Sequence, residues 1–558
     1  MAKKKTAQTV DVLHLDYRLV ELPSSQHRAG LAGLVLMLNW LKQQGKIRGV
    51  CELTALDEYG ASVRLDCLGL EALLDEVYGA SREIQERTQP FKNKNKEIVP
   101  PLEEREVSVT DPSNGKAKLK KVYLYPVVVP RGSFLAELDP TSDGNQGLWI
   151  KLWRDMIWAI LRGVPATRAP FEARAEGKPA DDARKLWEQL VQPAEFTVDL
   201  PSTYFLGAQA ANADNVPFFD RARLQFLLHF WPFSAQVYVP AILDNEGKRQ
   251  FVGYALAIPD VCRLETFCEE LPSLLRERKG EKSGYRPREA VVCVAVESAL
   301  DVCRRLRERL TQIEGGGSTR DLVMGIDVLH LEKQGNSVRL LGSTRLEPEA
   351  QMVDTYAQLR DVLWNDLFRR QQLLNLVQHQ PRFAGFDALL STLPIEQTFG
   401  SNTFRHDARQ SFKYETDMNE DTLTEAIETI PIEENTEAVK QPLSEEELLY
   451  RLVQSYLLGK LQSKYRMKWD KDRKLPVQGS NPISLDEYRK AKEKIAKDAF
   501  LAIRSRTDRE AFIEYFVATL CSVPQRFGQQ YFVGLARALD QETDRIRTLT
   551  MLALSAQS

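Results

Sequence analysis

Between Ala29 and Leu41 the chain is apolar almost throughout, yet Gly30 and Gly33 fall inside the helix that this pattern predicts. Glycine inside a helix costs roughly 1 kcal/mol against alanine. The pair therefore marks the close approach of another backbone, that of a neighbouring helix or of a nucleic acid. The thirteen residues from Ala29 to Leu41 rise roughly 20 Å as a helix, short of the roughly 30 Å hydrocarbon core of a bilayer. A packed core helix is the reading, opened at Pro23-Ser24-Ser25, where Ser24 or Ser25 can accept a bond from the first free N–H groups. His27 and Arg28 are its polar contacts. Lys3, Lys4 and Lys5 are followed by polar Thr6, Gln8 and Thr9 rather than an apolar run, so no secretion signal is expected and the cytoplasm is the expected compartment.

The chain has 558 residues, which implies about two to four domains. Its organisation predicts an α+β fold: a mixed N-terminal body over 1–415, an acidic linker over 416–443 and a helical bundle over 444–558. Within the body, 1–85 reads as strand, helix, strand, strand, helix. Residues 88–126 read as an inserted hairpin that shows Lys116, Lys118 and Lys120 on one face. Further hairpins are expected around Asp244–Gly247 and Gln334–Asn336, and a long helical stretch over Glu349–Gln378. The bundle opens at Ser444, with Glu447 three residues on, a spacing that suits reciprocal capping.

Net charge is −3, which hides an asymmetry. Glu415–Glu447 holds twelve acidic residues and one basic; Arg451–Glu510 holds sixteen Lys/Arg against eight Asp/Glu. Such segregation informs about partners where the sum does not. Seven cysteines lie scattered without a C-x-x-C, so they read as buried thiols rather than a disulfide framework or a zinc site. No metal or other cofactor is expected. Gly315-Gly316-Gly317-Ser318 lacks the Gly-Lys-Ser/Thr ending of a phosphate loop. His406-Asp407 is the one dipeptide with the chemistry of a metal phosphohydrolase or nuclease. Such a centre needs further His and Asp ligands to hold the ion, and the nearest histidine in sequence is His379. The chain therefore reads as one that binds rather than reacts.

Two features bear on what it binds. Leu200–Phe230 has a small, amide-rich centre from Gly207 to Asn215, between aromatic residues Tyr204, Phe205, Phe218 and Phe219. Gly207 permits close approach, and Gln209, Asn212 and Asn215 present paired donors and acceptors suited to base edges. A buried turn satisfied by its own amides is the other reading of the same residues. Basic runs at Lys92–Lys96, Lys116–Lys121, Arg276–Arg288, Lys460–Lys474 (with Lys464 and Arg466) and Arg489–Arg506 add a surface that can follow phosphates.

"LPSSQHRAGLAGL" and "YFLGAQAANADNVPF" together resemble the large subunit of type I CRISPR Cascade complexes, in the Myxan-subtype (Cmx) branch. The resemblance implies a subunit that is not itself the nuclease. It implies contact with the 5′ handle of the CRISPR RNA, recognition of the protospacer-adjacent motif in duplex DNA, and help in holding the displaced single strand, while RNA–DNA pairing reads the sequence. It implies Gly207, Gln209, Asn212 and Asn215 as motif readers. The partners implied are Cascade backbone and end-cap subunits, helical small subunits, and a helicase-nuclease or transposition proteins, with no membrane. The helical end resembles the small-subunit bundle, and Met418 is a candidate internal start for its separate production.

Overall fold

The computed structural model describes residues 11–91, 97–110, 117–142, 147–161, 168–178, 181–200, 218–244, 247–312, 318–335, 337–413, 444–470, 472–523 and 529–558. Helices and several small antiparallel sheets make it an α+β chain. It divides into two compact units, Met1–Ile242 with Gln250–Val353, and Leu243–Arg249 with Asp354–Ser558.

The first unit begins with β1 (Leu13–Arg18), α1 (Ser25–Gln43), β2 (Cys51–Asp57), β3 (Gly60–Leu65) and α2 (Cys67–Val77), in the order that the periodicity predicts. β3 lies between β1 and β2, antiparallel to both. β1 alternates buried and exposed positions, placing Leu13, Leu15 and Tyr17 inward. Ser24 caps α1, and fifteen of its nineteen residues are buried.

The two glycines of α1 are explained by what lies against them. A Cβ on Gly30 would stand 2.3 Å from the carbonyl oxygen of Leu227, and one on Gly33 would stand 2.1 Å from that of Phe230. The neighbour is the backbone of helix Ala222–Leu227 and the turn that follows it. Ser234 Oγ donates to the Ala29 carbonyl at 2.8 Å across the same contact.

The second sheet of the unit has β4 (Ala80–Arg87) and β5 (Glu103–Thr110) on opposite sides of the long β6 (Ala117–Pro130). β4 pairs with Tyr123–Pro130 and β5 with Ala117–Leu124. The strands β7 (Thr197–Leu200) and β8 (Phe218–Arg221) form a short antiparallel ladder. The largest sheet runs β10 (Arg249–Phe251), β9 (Gln236–Leu243), β11 (Tyr254–Val261), β15 (Val323–Gln334), β16 (Ser337–Leu346). β12 (Lys282–Ser283) and β13 (Arg286–Pro287) form a minimal hairpin, and β14 (Val291–Val292) joins β9 in parallel. α1 packs along β11.

In the second unit, helices Asp366–Val377, Asn402–Lys413, Glu445–Tyr465 and Leu485–Arg504 contribute to one apolar core with Thr543–Gln557. Thr543–Gln557 is buried from Ile546 onward. The expected long helix over Glu349–Gln378 is two helices, Ala350–Val362 and Asp366–Val377, with Asn365 capping the second. Three short strands, β17 (Met467–Asp470), β18 (Leu475–Gln478) and β19 (Asn481–Pro482), interrupt the helices. The linker expected at 416–443, with Met418, lies outside the described residues.

Alanine at position 30 or 33 gains helix propensity but meets a carbonyl oxygen at sub-contact distance, so Gly30→Ala or Gly33→Ala is expected to destabilise the chain by about 1–3 kcal/mol. A thermal melt checks the sign. A second expectation concerns His229, which packs against Tyr78, Phe226 and Phe230 and whose Nδ1 lies 2.6 Å from Tyr78 Oη. Burial pushes this imidazole down to about 3, with Asp182 opposing the shift. The unfolded chain takes up the proton at about pH 6.5, before the folded one does. The stabilisation is thus complete above that value and is lost as the pH falls toward about 3. Melting temperature should drop between about pH 7.5 and about pH 5, with a shallower slope in His229→Gln.

Candidate nucleic-acid interface

The first sequence motif is bonded to the strand that follows the second. At the start of α1, the His27 ring lies 2.8 Å from Ser24 Oγ through Nδ1 and 3.0 Å from Asp220 Oδ2 through Nε2. With the carboxylate accepting, Nε2–H donates to Asp220 and Nδ1 is left to accept from the Ser24 hydroxyl. Asp220 belongs to β8, and β7 and β8 are the strands on either side of residues 201–217. Gln225 Nε2 donates to the Asp199 carbonyl at 3.2 Å, closing the same corner from the other strand. The first motif is thus bonded to the ladder whose strands flank residues 201–217 in sequence. Gly207, Gln209, Asn212 and Asn215 themselves lie outside the described residues, as does Lys116.

Arg28 is engaged within the fold as well. Its guanidinium donates to the carbonyls of Leu19 and Leu22 at 3.1 Å each and to Asp260 Oδ1 at 2.5 Å. Asp260, on β11, accepts from Arg345 of β16 on its other oxygen at 2.7 Å. Arg345 also reaches Asp327 at 3.2 Å, and Ser25 Oγ donates to Asp327 Oδ2 at 2.5 Å. This chain of charge-assisted bonds joins the head of α1 to three strands of the large sheet, where a buried carboxylate flanked by two arginines is well compensated. Sequence reasoning singled out His27 and Arg28 as polar contacts but not their partners Asp220 and Asp260. Those partners stand 193 and 232 residues away, and no local pattern signals them.

The lysine-bearing hairpin is a ribbon. From Ala117 to Val122, β6 is paired only with β5, because β4 ends at Arg87, opposite Tyr123. Glu104–Ser108 on one strand and Leu119, Lys120 and Lys121 on the other are exposed. Cross-strand pairing sets Lys120 opposite Val107 and Lys118 opposite Val109. In the second unit, Lys464 and Arg466 are exposed at the end of helix Glu445–Tyr465. Lys464 Nζ lies 5.6 Å from the Tyr465 ring, and Arg466 closes the helix with φ 55°.

His406-Asp407 sits where two helices break. Asp407 is fully buried. It accepts the backbone N–H of Trp364 at 3.0 Å and of Asn365 at 2.7 Å, and His406 Nδ1 stands 3.1 Å away. Burial pushes its carboxyl up, while these donors hold it down. The His406 ring stacks on the Trp364 indole at 3.9 Å. The dipeptide thus fixes the break between two helices that the sequence pattern read as one. Among the described residues no group of three or more His, Cys, Asp or Glu is placed to hold a metal ion. Nor, among them, is any helix long and apolar enough to cross a membrane.

The first motif is thus anchored to β8, and exposed lysines lie on the β5–β6 ribbon and at the end of helix Glu445–Tyr465. The family model of the type I-B CRISPR Cas8b N-terminal domain matches residues 50–316, and that of the Cas8b C-terminal domain matches residues 323–557. No curated protein matches the chain. With both domains present in order over nearly its whole length, the chain belongs to the Cas8b family of type I CRISPR large subunits. It is a member of a Cascade complex. The C-terminal match begins at β15, although β15 pairs with β11 inside the first unit.

Asp407→Asn turns a donor toward N–H groups that need an acceptor. It should destabilise the chain by about 1–3 kcal/mol, and manganese or nickel should leave the melting temperature of the unaltered chain unchanged.

Proposed function

We propose that this large subunit contacts the 5′ handle of the CRISPR RNA, reads the protospacer-adjacent motif with residues 201–217 and stabilises the opened target DNA. It does so without catalysing a reaction, in antiviral defence or RNA-guided transposition. The observation that carries the reading is the His27–Asp220 bond at 3.0 Å, because it links the N-terminal motif to the strand that follows residues 201–217. His27 and Arg28 act through that link by fixing the base of the reading segment, while Gly207, Gln209, Asn212 and Asn215 approach the base edges. The minor-groove pattern is degenerate, which suits a permissive motif. Assignment to the Myxan branch rests on the two quoted motifs.

Lys116, Lys118 and Lys120 follow duplex phosphates from the exposed ribbon, a shape that a groove admits. Lys464 and Arg466 track single-stranded nucleic acid on the helical unit, whose basic segment has the matching sign. Separate production of that unit from Met418 would supply small subunits, beside the Cascade backbone and end-cap subunits. A helicase-nuclease or transposition proteins would act downstream.

The test compares duplexes with and without the cognate flanking motif, using the complex assembled on guide RNA. Gln209→Ala or Asn212→Ala should weaken binding only where the motif is present and leave guide-RNA assembly intact. Equal loss on every flanking sequence overturns motif reading. Replacing Lys116, Lys118 and Lys120 together by Gln should weaken binding on all sequences and flatten the log–log salt slope by up to about three.

A further inference from the structure

The basic run Arg276–Arg288 holds six Lys/Arg against two Glu. The fold closes part of it into a two-residue hairpin: Lys282 pairs with Pro287 and Ser283 with Arg286, leaving Gly284 and Tyr285 as the turn. Gly284 takes φ +65°, the left-handed backbone that such turns use and glycine adopts freely. Tyr285 is carried to the tip, with 64% of its surface exposed.

The ring is nevertheless held in place. It meets Phe251 nearly edge-on at 6.1 Å between centroids. The Arg286 guanidinium lies 5.0 Å from its centroid and donates through Nη2 to Tyr285 Oη at 3.3 Å. The same guanidinium stands 5.5 Å from the Phe251 ring and 5.3 Å from that of Tyr254, so it fastens the tip to β10 and β11. Asp155, on the helix Leu148–Met156, interacts electrostatically with Arg286 and with Lys151. Lys279, Lys282 and Arg288 are exposed around the hairpin, and Arg288 bridges Glu281 at 3.1 Å.

An immobilised, open aromatic ring among exposed cations suits stacking of an unpaired base while the cations follow its phosphates. Stacking and charge, unlike bonds to base edges, do not depend on which base is present. A displaced strand, whose sequence changes with every target, requires that indifference; a constant RNA handle does not. We propose that the Tyr285 hairpin is a stacking platform for unpaired target DNA, with Tyr285 beneath a base and Lys282 and Arg288 on the flanking phosphates. The proposal rests on the reading of the chain as a subunit that handles opened DNA.

The full chain, titrated by fluorescence anisotropy against a labelled oligothymidine and an abasic strand of equal length, tests it. The unaltered chain should prefer the base-bearing strand by about tenfold. Tyr285→Ala should abolish that preference without changing affinity for the abasic strand, and Tyr285→Phe should keep it. Lys282→Gln with Arg288→Gln should weaken both strands alike and reduce the salt slope. A Tyr285→Ala protein that retains the preference overturns the platform, as does an unaltered chain that is indifferent to bases. Neither result touches the large-subunit reading, which falls only if guide-RNA complexes find their targets equally well without this chain.

Discussion

The contact between α1 and the backbone of residues 222–234 is the constraint from which the first unit is built. Two missing side chains, at Gly30 and Gly33, let the helix come against the carbonyls of Leu227 and Phe230. Ser234 then reaches the Ala29 carbonyl. At that separation the head of α1 is near enough for His27 to bond Asp220 and for Arg28 to bond Asp260. A single added methyl would wedge apart the backbone approach on which all these bonds depend, because packed interiors yield little to added volume.

The first motif supplies close approach through Gly30 and Gly33 and an anchoring hydrogen bond through His27. The strand so anchored, β8, is the one that follows residues 201–217 in sequence. A segment that rises from a rigid base costs less to order when it binds.

The second unit shows the complementary case, in which a suspected reactive pair proves architectural. A buried aspartate that accepts two backbone N–H groups and a histidine contact has its lone pairs engaged, and a stacked indole fixes the histidine. The same residue types that bind metals also terminate and restart helices. Only their neighbours in space distinguish the two uses.

From sequence alone, the α+β class, the strand–helix order at the N-terminus, the capping of α1 by Ser24 or Ser25 and the packed nature of that helix were determined, and the structure settled the cap on Ser24. Each follows from periodicity or from chemistry within a few residues. The break at Leu363–Asn365 was not legible, because Asp407, the acceptor that holds it open, lies more than forty residues away. The strands β17–β19 were also hidden, being four residues or fewer each and too short to show a period. For the candidate site, the sequence could nominate His27, Arg28, Lys120 and Lys464 by type. Tertiary structure alone decided that the first two face inward to Asp220 and Asp260 while Lys120 and Lys464 face solvent. Local pattern fixes which backbone conformation a segment prefers, but the partner of a polar side chain is set by packing between segments remote in the chain, and that information resides in three dimensions.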